Sequence, residues 1–188
     1  MSFSNLLLNC NRDLTMSLSI KYLDEANVRE ISGWNYDAPY DYYNLNPDEI
    51  EQNTHYFLNP QNNFYGIFEE SRKFIGYCSF GEDGQVPGGD YSTPALDIGM
   101  GICPNLTGQG RGCYYVAAVL DFAQQMFDPP IVRVTIAAFN QRALQVWYRV
   151  GFHTVDNFEH QYQGVPFVIL VRENERVLKD YRKCQMAT

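Results

Sequence analysis

Asp97-Ile98-Gly99-Met100-Gly101-Ile102-Cys103-Pro104-Asn105-Leu106-Thr107-Gly108-Gln109-Gly110-Arg111-Gly112-Cys113 is the stretch on which the reading of this chain turns. Side chains alternate across an extended strand, so Leu96, Ile98, Met100 and Ile102 share one face while Asp97, Gly99 and Gly101 share the other. The second face is bare beside an acid. Glycine inside a strand marks a bulge or a place where a ligand nears the backbone. Pro104 ends the strand, and Gly108, Gly110 and Gly112 then lead into an apolar-periodic segment. A helix opened by glycines exposes backbone N–H groups at its positive dipole end, which suits an anion. A diphosphate is the natural guest, and Arg111 adds charge. A P-loop would need Lys-Ser or Lys-Thr after the glycines, and a dinucleotide fingerprint would need Gly where Cys113 stands; neither fits. A glycine turn with no ligand is the plain alternative.

Working outward, the strand spans Ala95–Cys103 and the helix Gly110–Phe127, with Val116, Val119, Leu120, Ala123, Met126 and Phe127 at helical spacing. Asp128-Pro129-Pro130 stops that helix. The β-branched run Ile131–Ala137 predicts a buried strand. Asn140 predicts a helix cap, and Gly151 a helix end. Strands follow at Phe152–Phe158 and Pro166–Val171, then a charged surface helix over Arg172–Lys183. Upstream, Ser17–Tyr22 alternates as a strand, and Asp24 caps a helix running to Ser32. A loop loaded with rings (Trp34, Tyr36, Tyr40, Tyr42, Tyr43) precedes a helix that opens at Asn46-Pro47 and ends before Asn59-Pro60. Strands Asn63–Phe68 and Lys73–Phe80 flank a turn, and Gly81–Pro94 reads as a surface loop. Residues 1–15 read as a loose extension, with 16–188 as a single domain. Mixed strands and helices in this order imply an α/β or α+β layer structure.

The 188 residues suffice for one core and not for two. A formal net charge of −8 repels phosphate backbones and anionic lipid, which argues against nucleic-acid and membrane partners and favours cationic ones. The five cysteines include no CxxC pair, so neither a zinc site nor a disulfide framework is expected, and reduced thiols in a cytoplasmic protein are. Leu6-Leu7-Leu8 is too short for a signal sequence, and no apolar run has membrane-spanning length.

The run Ile102-x-Pro104-x-Leu106-Thr107-Gly108-Gln109-Gly110-Arg111-Gly112 resembles the GNAT superfamily of N-acetyltransferases, whose first motif is a strand ending in Val/Ile-x-Pro, then Gln/Arg-x-x-Gly-x-Gly/Ala opening a helix. Asn140-Gln141-Arg142-Ala143, followed by Gly151-Phe152, resembles the same superfamily's second motif. The match covers about residues 95–160. It implies a splayed, mostly antiparallel mixed sheet flanked by helices, with a V-shaped gap between Ala95–Cys103 and Ile131–Ala137. Acetyl-CoA is the implied co-substrate, with no metal. Its pantetheine would pair near Gly101 and Ile102, its pyrophosphate would sit on Thr107, Gly108, Gln109, Gly110, Arg111, Gly112 and Cys113, and Asn140 would bond the pantetheine arm. Homodimers are common in the superfamily, so a homodimer is open to this chain. Two positions depart from the pattern: Thr107 stands for Gln or Arg, and Trp147 stands where a tyrosine often protonates the departing thiolate. Trp147 is therefore expected to pack against the cofactor or the core, leaving the adjacent Tyr148 as the phenol in the segment.

The implied reaction is direct attack of an amine, of a small molecule or a peptide, on the thioester. Asp97 is the candidate base, set against a strand-end carboxylate satisfied by loop backbone. Trp34, Tyr36, Tyr40 and Tyr43 fall where the superfamily places its acceptor-binding elements, set against rings that pin a long loop. His55, His153 and His160 read as structural, and Cys103 and Cys113 as core fillers. A non-catalytic acyl-CoA-binding module and a nucleotide-binding protein are the competing classes.

Overall fold

The computed structural model describes residues 17–174. Seven strands form one sheet: β1 (Leu18–Tyr22), β2 (Phe64–Glu69), β3 (Phe74–Phe80), β4 (Leu96–Ile102), β5 (Ile131–Ala137), β6 (His153–Glu159) and β7 (Pro166–Glu173), in the order β1-β2-β3-β4-β5-β7-β6. Every neighbouring pair is antiparallel except β4 with β5. Among the described residues four α-helices flank it: α1 (Glu25–Ser32), α2 (Ile50–Leu58), α3 (Gly112–Phe127) and α4 (Gln141–Arg149). This is the splayed, mostly antiparallel mixed sheet that the motifs imply.

Local chemistry sets the ends of these elements. Asp24 accepts from the Asn27 backbone while the Asn27 side chain reaches back to Asp24, a capping box that starts α1. Asn140 accepts from the Ala143 N–H at 3.1 Å and starts α4. Asp128 closes α3 in the left-handed region at φ 44°. The helix expected from Asn46 divides into a 3₁₀ turn, Pro47–Glu49, and then α2. α3 begins at Gly112 rather than Gly110, because Gly108 and Gly110 have positive φ. Arg172 and Glu173, expected to begin a last helix, are the end of β7, paired with Val132 and Ile131; the rest of that segment and residues 1–15 lie outside the described residues.

Two apolar clusters sandwich the sheet. One joins Ile98, Met100 and Ile102 of β4 to Val116, Val119 and Leu120 of α3 and to Leu144 and Trp147 of α4. The other, on the opposite face, gathers Val28, Ile31, Trp34, Phe57, Phe64 and Phe74. Cys113 is a small residue of the first core, as expected. Among the described residues no helix is long and apolar enough to cross a membrane, and no group of three metal-ligating side chains occurs.

Candidate active site

β4 and β5 pair only at Leu96–Val132 and Asp97–Arg133 and then part. The sheet continues intact on either side: β3 stays with β4 to Ile102, and β7 stays with β5 to Ala137. A gap therefore opens in mid-sheet, apex at Asp97–Arg133 and mouth at the glycine turn. A cavity of about 770 Å³ fills it.

Backbone parity decides which groups face this gap. N–H and C=O of one residue point to the same edge of a strand, those of the next to the other edge. The Gly81 N–H donates to the Asp97 carbonyl and the Cys103 N–H to the Ile75 carbonyl, so odd-numbered residues of β4 are committed to β3. Met100 and Ile102 present their backbone groups to the gap. Tyr36 confirms the direction, its hydroxyl donating to the Ile102 carbonyl at 2.8 Å across the gap. Gly101, expected to pair with a cofactor, instead gives its bare Cα face: a Cβ there would lie 2.4 Å from the Tyr77 ring. Parity was countable in the sequence, but its phase became known only with the β3 partners.

At the mouth, Gly108 and Gly110 hold φ of 73° and 77°, conformations that L side chains avoid. Gly112 serves a different need: a Cβ there would meet Cγ2 of Val146 at 2.6 Å, so the glycine lets α3 and α4 touch. Among the described residues, no backbone N–H from Gly108 to Gly112 donates to a backbone carbonyl. These N–H groups are free of backbone partners, as a turn able to take an anion requires. Two of its side chains are committed elsewhere. Thr107 donates its hydroxyl to the Pro104 carbonyl at 2.8 Å, so that proton is not offered to a phosphate. Gln109 turns back onto the Asn105 carbonyl at 2.6 Å. Arg111 lies 3.8 Å from Glu69.

Further cations come from α4. Arg142 and Arg149, seven residues apart, share a helix face with Val146, and both line the cavity. Arg142 reaches Thr107 Oγ1 at 3.5 Å and stacks over the Tyr40 ring at 3.7 Å. The i, i+7 spacing was visible in the sequence, but only Val146 against Gly112 shows that this stripe faces the turn.

The aromatic loop crosses the gap. Trp34 stacks between Phe74 and Tyr77 on the β3 side, Tyr36 bonds β4, and the 3₁₀ turn Tyr40–Tyr43 sets three rings against Phe139, beyond β5, at 6.2, 5.7 and 5.8 Å. All five rings line the cavity. Burial raises the pKa of Tyr36 and Tyr43; in Tyr43 the amide of Asn140, 3.4 Å from the phenol, partly offsets it. Both remain protonated hydroxyls at neutral pH.

Two expected catalytic side chains are not in the cavity. Asp97, 2% exposed, forms a two-pronged pair with Arg133, 4% exposed: Nε to Oδ1 at 2.6 Å and Nη2 to Oδ2 at 2.8 Å. Gln85 also donates to Oδ2 at 2.9 Å. Its carboxylate is buried against Arg133 and outside the cavity lining, so the structure corrects the reading of Asp97 as base. Tyr148 is 45% exposed and shares a hydrogen bond with Thr154 on the outer surface, away from the cavity. Trp147, 5% exposed, lines the cavity and packs edge-on against Phe152, as expected for a packing residue.

A carboxylate does reach the cavity: Asp83, from the loop Gly81–Pro94. Its Oδ2 accepts from Ser79 at 2.5 Å and its Oδ1 from Tyr56 at 2.9 Å. Oδ2 lies 3.1 Å from where a Gly99 Cβ would be. The loop is held by Tyr91, whose hydroxyl accepts from the Val86 N–H at 2.8 Å, contacts Thr135 at 3.1 Å, and whose ring lies under Arg133 at 4.8 Å. In the sequence, Asp83 looks like any acid in a turn.

Comparison with known proteins agrees with this geometry. The acetyltransferase (GNAT) domain matches residues 17–153. No curated protein sequence matches the chain. Among solved structures, a chimera of the Vibrio cholerae spermidine N-acetyltransferase SpeG with hSSAT superposes with a TM-score of 0.67 at 16% identity, covering 86% of this chain and 98% of that one. An acetyltransferase (GNAT family) from Bacillus anthracis gives 0.66 at 12% identity, covering 84% and 95%. SpeG from Vibrio cholerae in complex with manganese ions gives 0.63 at 14%, covering 87% and 96%. At these identities the likeness is one of fold.

Proposed function

The chain belongs to the GNAT acetyltransferase family, and we propose that it moves an acetyl group from acetyl-CoA to a primary amine by direct attack of the amine. The observation that carries this reading is the gap opening past Asp97–Arg133 and ending on the glycine turn. It joins a slot edged by backbone donors to an anion cradle, the shape of a long ligand with a diphosphate at one end. The fit is physical: the turn leaves its N–H groups unspent, and a Cβ at Gly108 or Gly110 would strain it.

Acetyl-CoA supplies an acyl carbon activated as a thioester. The N–H groups from Gly108 to Gly112, with Arg111 and Arg142, hold the diphosphate. Met100 and Ile102 hold the arm along β4, with Asn140 opposite. A gap-facing N–H on β4 is the donor for the oxyanion, where a fixed dipole acts at low dielectric. With Trp147 unable to give a proton and the Tyr36 proton held by the Ile102 carbonyl, Tyr43 supplies the hydroxyl that the family's usual tyrosine would. The structural relatives include enzymes named as spermidine N-acetyltransferases, which makes small amines the first acceptors to try.

The test is thermal unfolding with and without acetyl-CoA, comparing wild type with Gly110→Trp. A hundredfold excess over Kd adds about 2.7 kcal/mol. For 188 residues that is a rise of roughly 5–10 °C. Stabilisation of wild type alone, followed by thiol release with an amine, establishes the reading. Stabilisation without release from any amine identifies an acyl-CoA-binding module instead, the second reading, which the absence of a cavity-facing tyrosine on α4 favours.

A further inference from the structure

Charge in the cavity is sorted by position. Three arginines, Arg111, Arg142 and Arg149, line it, and Asp83 is the one carboxylate among the described residues that do. Arg111 belongs to the glycine turn and Arg142 reaches its first residue, so the positive groups gather at the mouth. Asp83 lies against Gly99, two residues from the apex pair, with about 13 Å of strand between Gly99 and Cys103. The slot is positive where an anionic chain would enter and negative where that chain would end.

We propose that the acceptor is a primary monoamine carried on an aromatic or other flat apolar body, with its ammonium on Asp83. This rests on the acetyl-transfer reading above. Ser79 and Tyr56 each occupy one lone pair of the carboxylate, which fixes its orientation and leaves further acceptor capacity on both oxygens for an ammonium. The bare Cα atoms of Gly99 and Gly101 let Ser79, Asp83 and the Tyr77 ring close onto β4, and all but Ser79 line the cavity, so a substrate nitrogen there meets Asp83 beside the strand. The wall beside it is Tyr77, Trp34 and Tyr36, apolar faces that take a flat body. A polyamine carries two or more ammoniums, and each charge removed from water needs a partner. The cavity gives it one carboxylate.

Asp83 first takes one proton from the bound ammonium and passes it to solvent, which frees the nitrogen lone pair. As the C–N bond forms at the thioester carbon, the C–S bond breaks with its electron pair on sulfur. The second proton shed by the nitrogen leaves to solvent by way of Asp83, and sulfur takes a proton from a cavity phenol that solvent recharges.

The experiment measures kcat/KM for phenethylamine, butylamine and spermidine, and calorimetric binding of phenethylamine in the presence of CoA, for wild type and Asp83→Asn. The expected result is phenethylamine preferred over spermidine, with KM for phenethylamine and its calorimetric Kd raised roughly tenfold to a hundredfold by Asp83→Asn. Acetyl-CoA stabilises that variant as it does wild type, which shows that it folds. Preference for spermidine in wild type, a reading independent of any variant, overturns the proposal. So does unchanged phenethylamine binding in a folded Asp83→Asn, and both leave acetyl transfer standing. Failure of acetyl-CoA to stabilise wild type removes the underlying reading and this one with it.

Discussion

Asp97 and Arg133 close the apex of the gap as a buried ion pair, joined by two hydrogen bonds across the parallel contact between β4 and β5. The same guanidinium donates to the Thr93 carbonyl at 2.9 Å, and Gln85 joins the carboxylate. Both ends of the loop that carries Asp83 are thereby tied to the point where the strands part. Removing one partner strands the other charge, at a cost of about 3–5 kcal/mol. Asp97→Ala is therefore expected to lower the unfolding free energy by that amount in urea titration. The double change Asp97→Leu with Arg133→Met is expected to recover most of the loss, since replacing a buried pair by apolar groups is often near neutral. Equal instability of single and double variants would refute the pairing as the source.

The glycines of the turn separate into two kinds. Gly110→Ala adds a Cβ to a residue at φ 77° with open space around it, so the penalty is backbone strain of about 1–2 kcal/mol and no partner mutation relieves it. Gly112→Ala drives a Cβ into Val146 at 2.6 Å, an overpacking worth about 1–3 kcal/mol. Adding Val146→Ala is expected to restore part of the second loss and none of the first. A double-mutant cycle on chemical denaturation reads the difference.

Arg142 stacks on Tyr40 and reaches the turn from α4. Arg142→Ala is expected to weaken acetyl-CoA binding roughly tenfold, the worth of one charge-assisted contact, and to lower the salt dependence of that binding. Stability of the ligand-free protein changes little, because the side chain is exposed. Arg142→Lys keeps the charge and loses the planar stack, so its affinity falls between the two. Calorimetric titration at two salt concentrations checks this, and equal affinities for all three proteins would count against it.

The Tyr56 hydroxyl that donates to Asp83 titrates late. Burial first, and then the bond to Asp83, push its pKa up to about 12. Because the folded value lies above the unfolded one, its contribution is complete below the ordinary tyrosine range near 10 and is lost as pH rises toward 12. The difference in melting temperature between wild type and Tyr56→Phe is expected to be flat up to pH 10 and to shrink above it. A difference constant through pH 12 would show that the phenol does not titrate as described.

The fold was legible because its determinants are local: alternation in β4, glycines at the turn, caps at Asp24 and Asn140, and a β-branched run for β5. The strand, glycine turn and helix start at the mouth of the gap were legible for the same reason, since they are contiguous in the chain. The surroundings of the acids near the apex were not. Asp97 looked available because its partner lies 36 residues away on another strand. Asp83 looked idle because Gly99, which it overhangs, is far along the chain and its loop is written in ordinary turn residues. Tyr148 and Trp147 differ by one helical step, and that step separates surface from cavity.

The strap of rings from Trp34 to Tyr43 leans on Phe74 at one end and Phe139 at the other. With two paired rungs holding the apex, the strands diverge like the arms of a clothes-peg, and the strap bridges them. A guest in the cavity lies against these rings and against the β4 backbone at once, so its grip is shared between the two walls. A natural reporter sits there as well: Trp34 and Trp147, the two tryptophans of the chain, both line the cavity, so indole emission registers its occupation without a label.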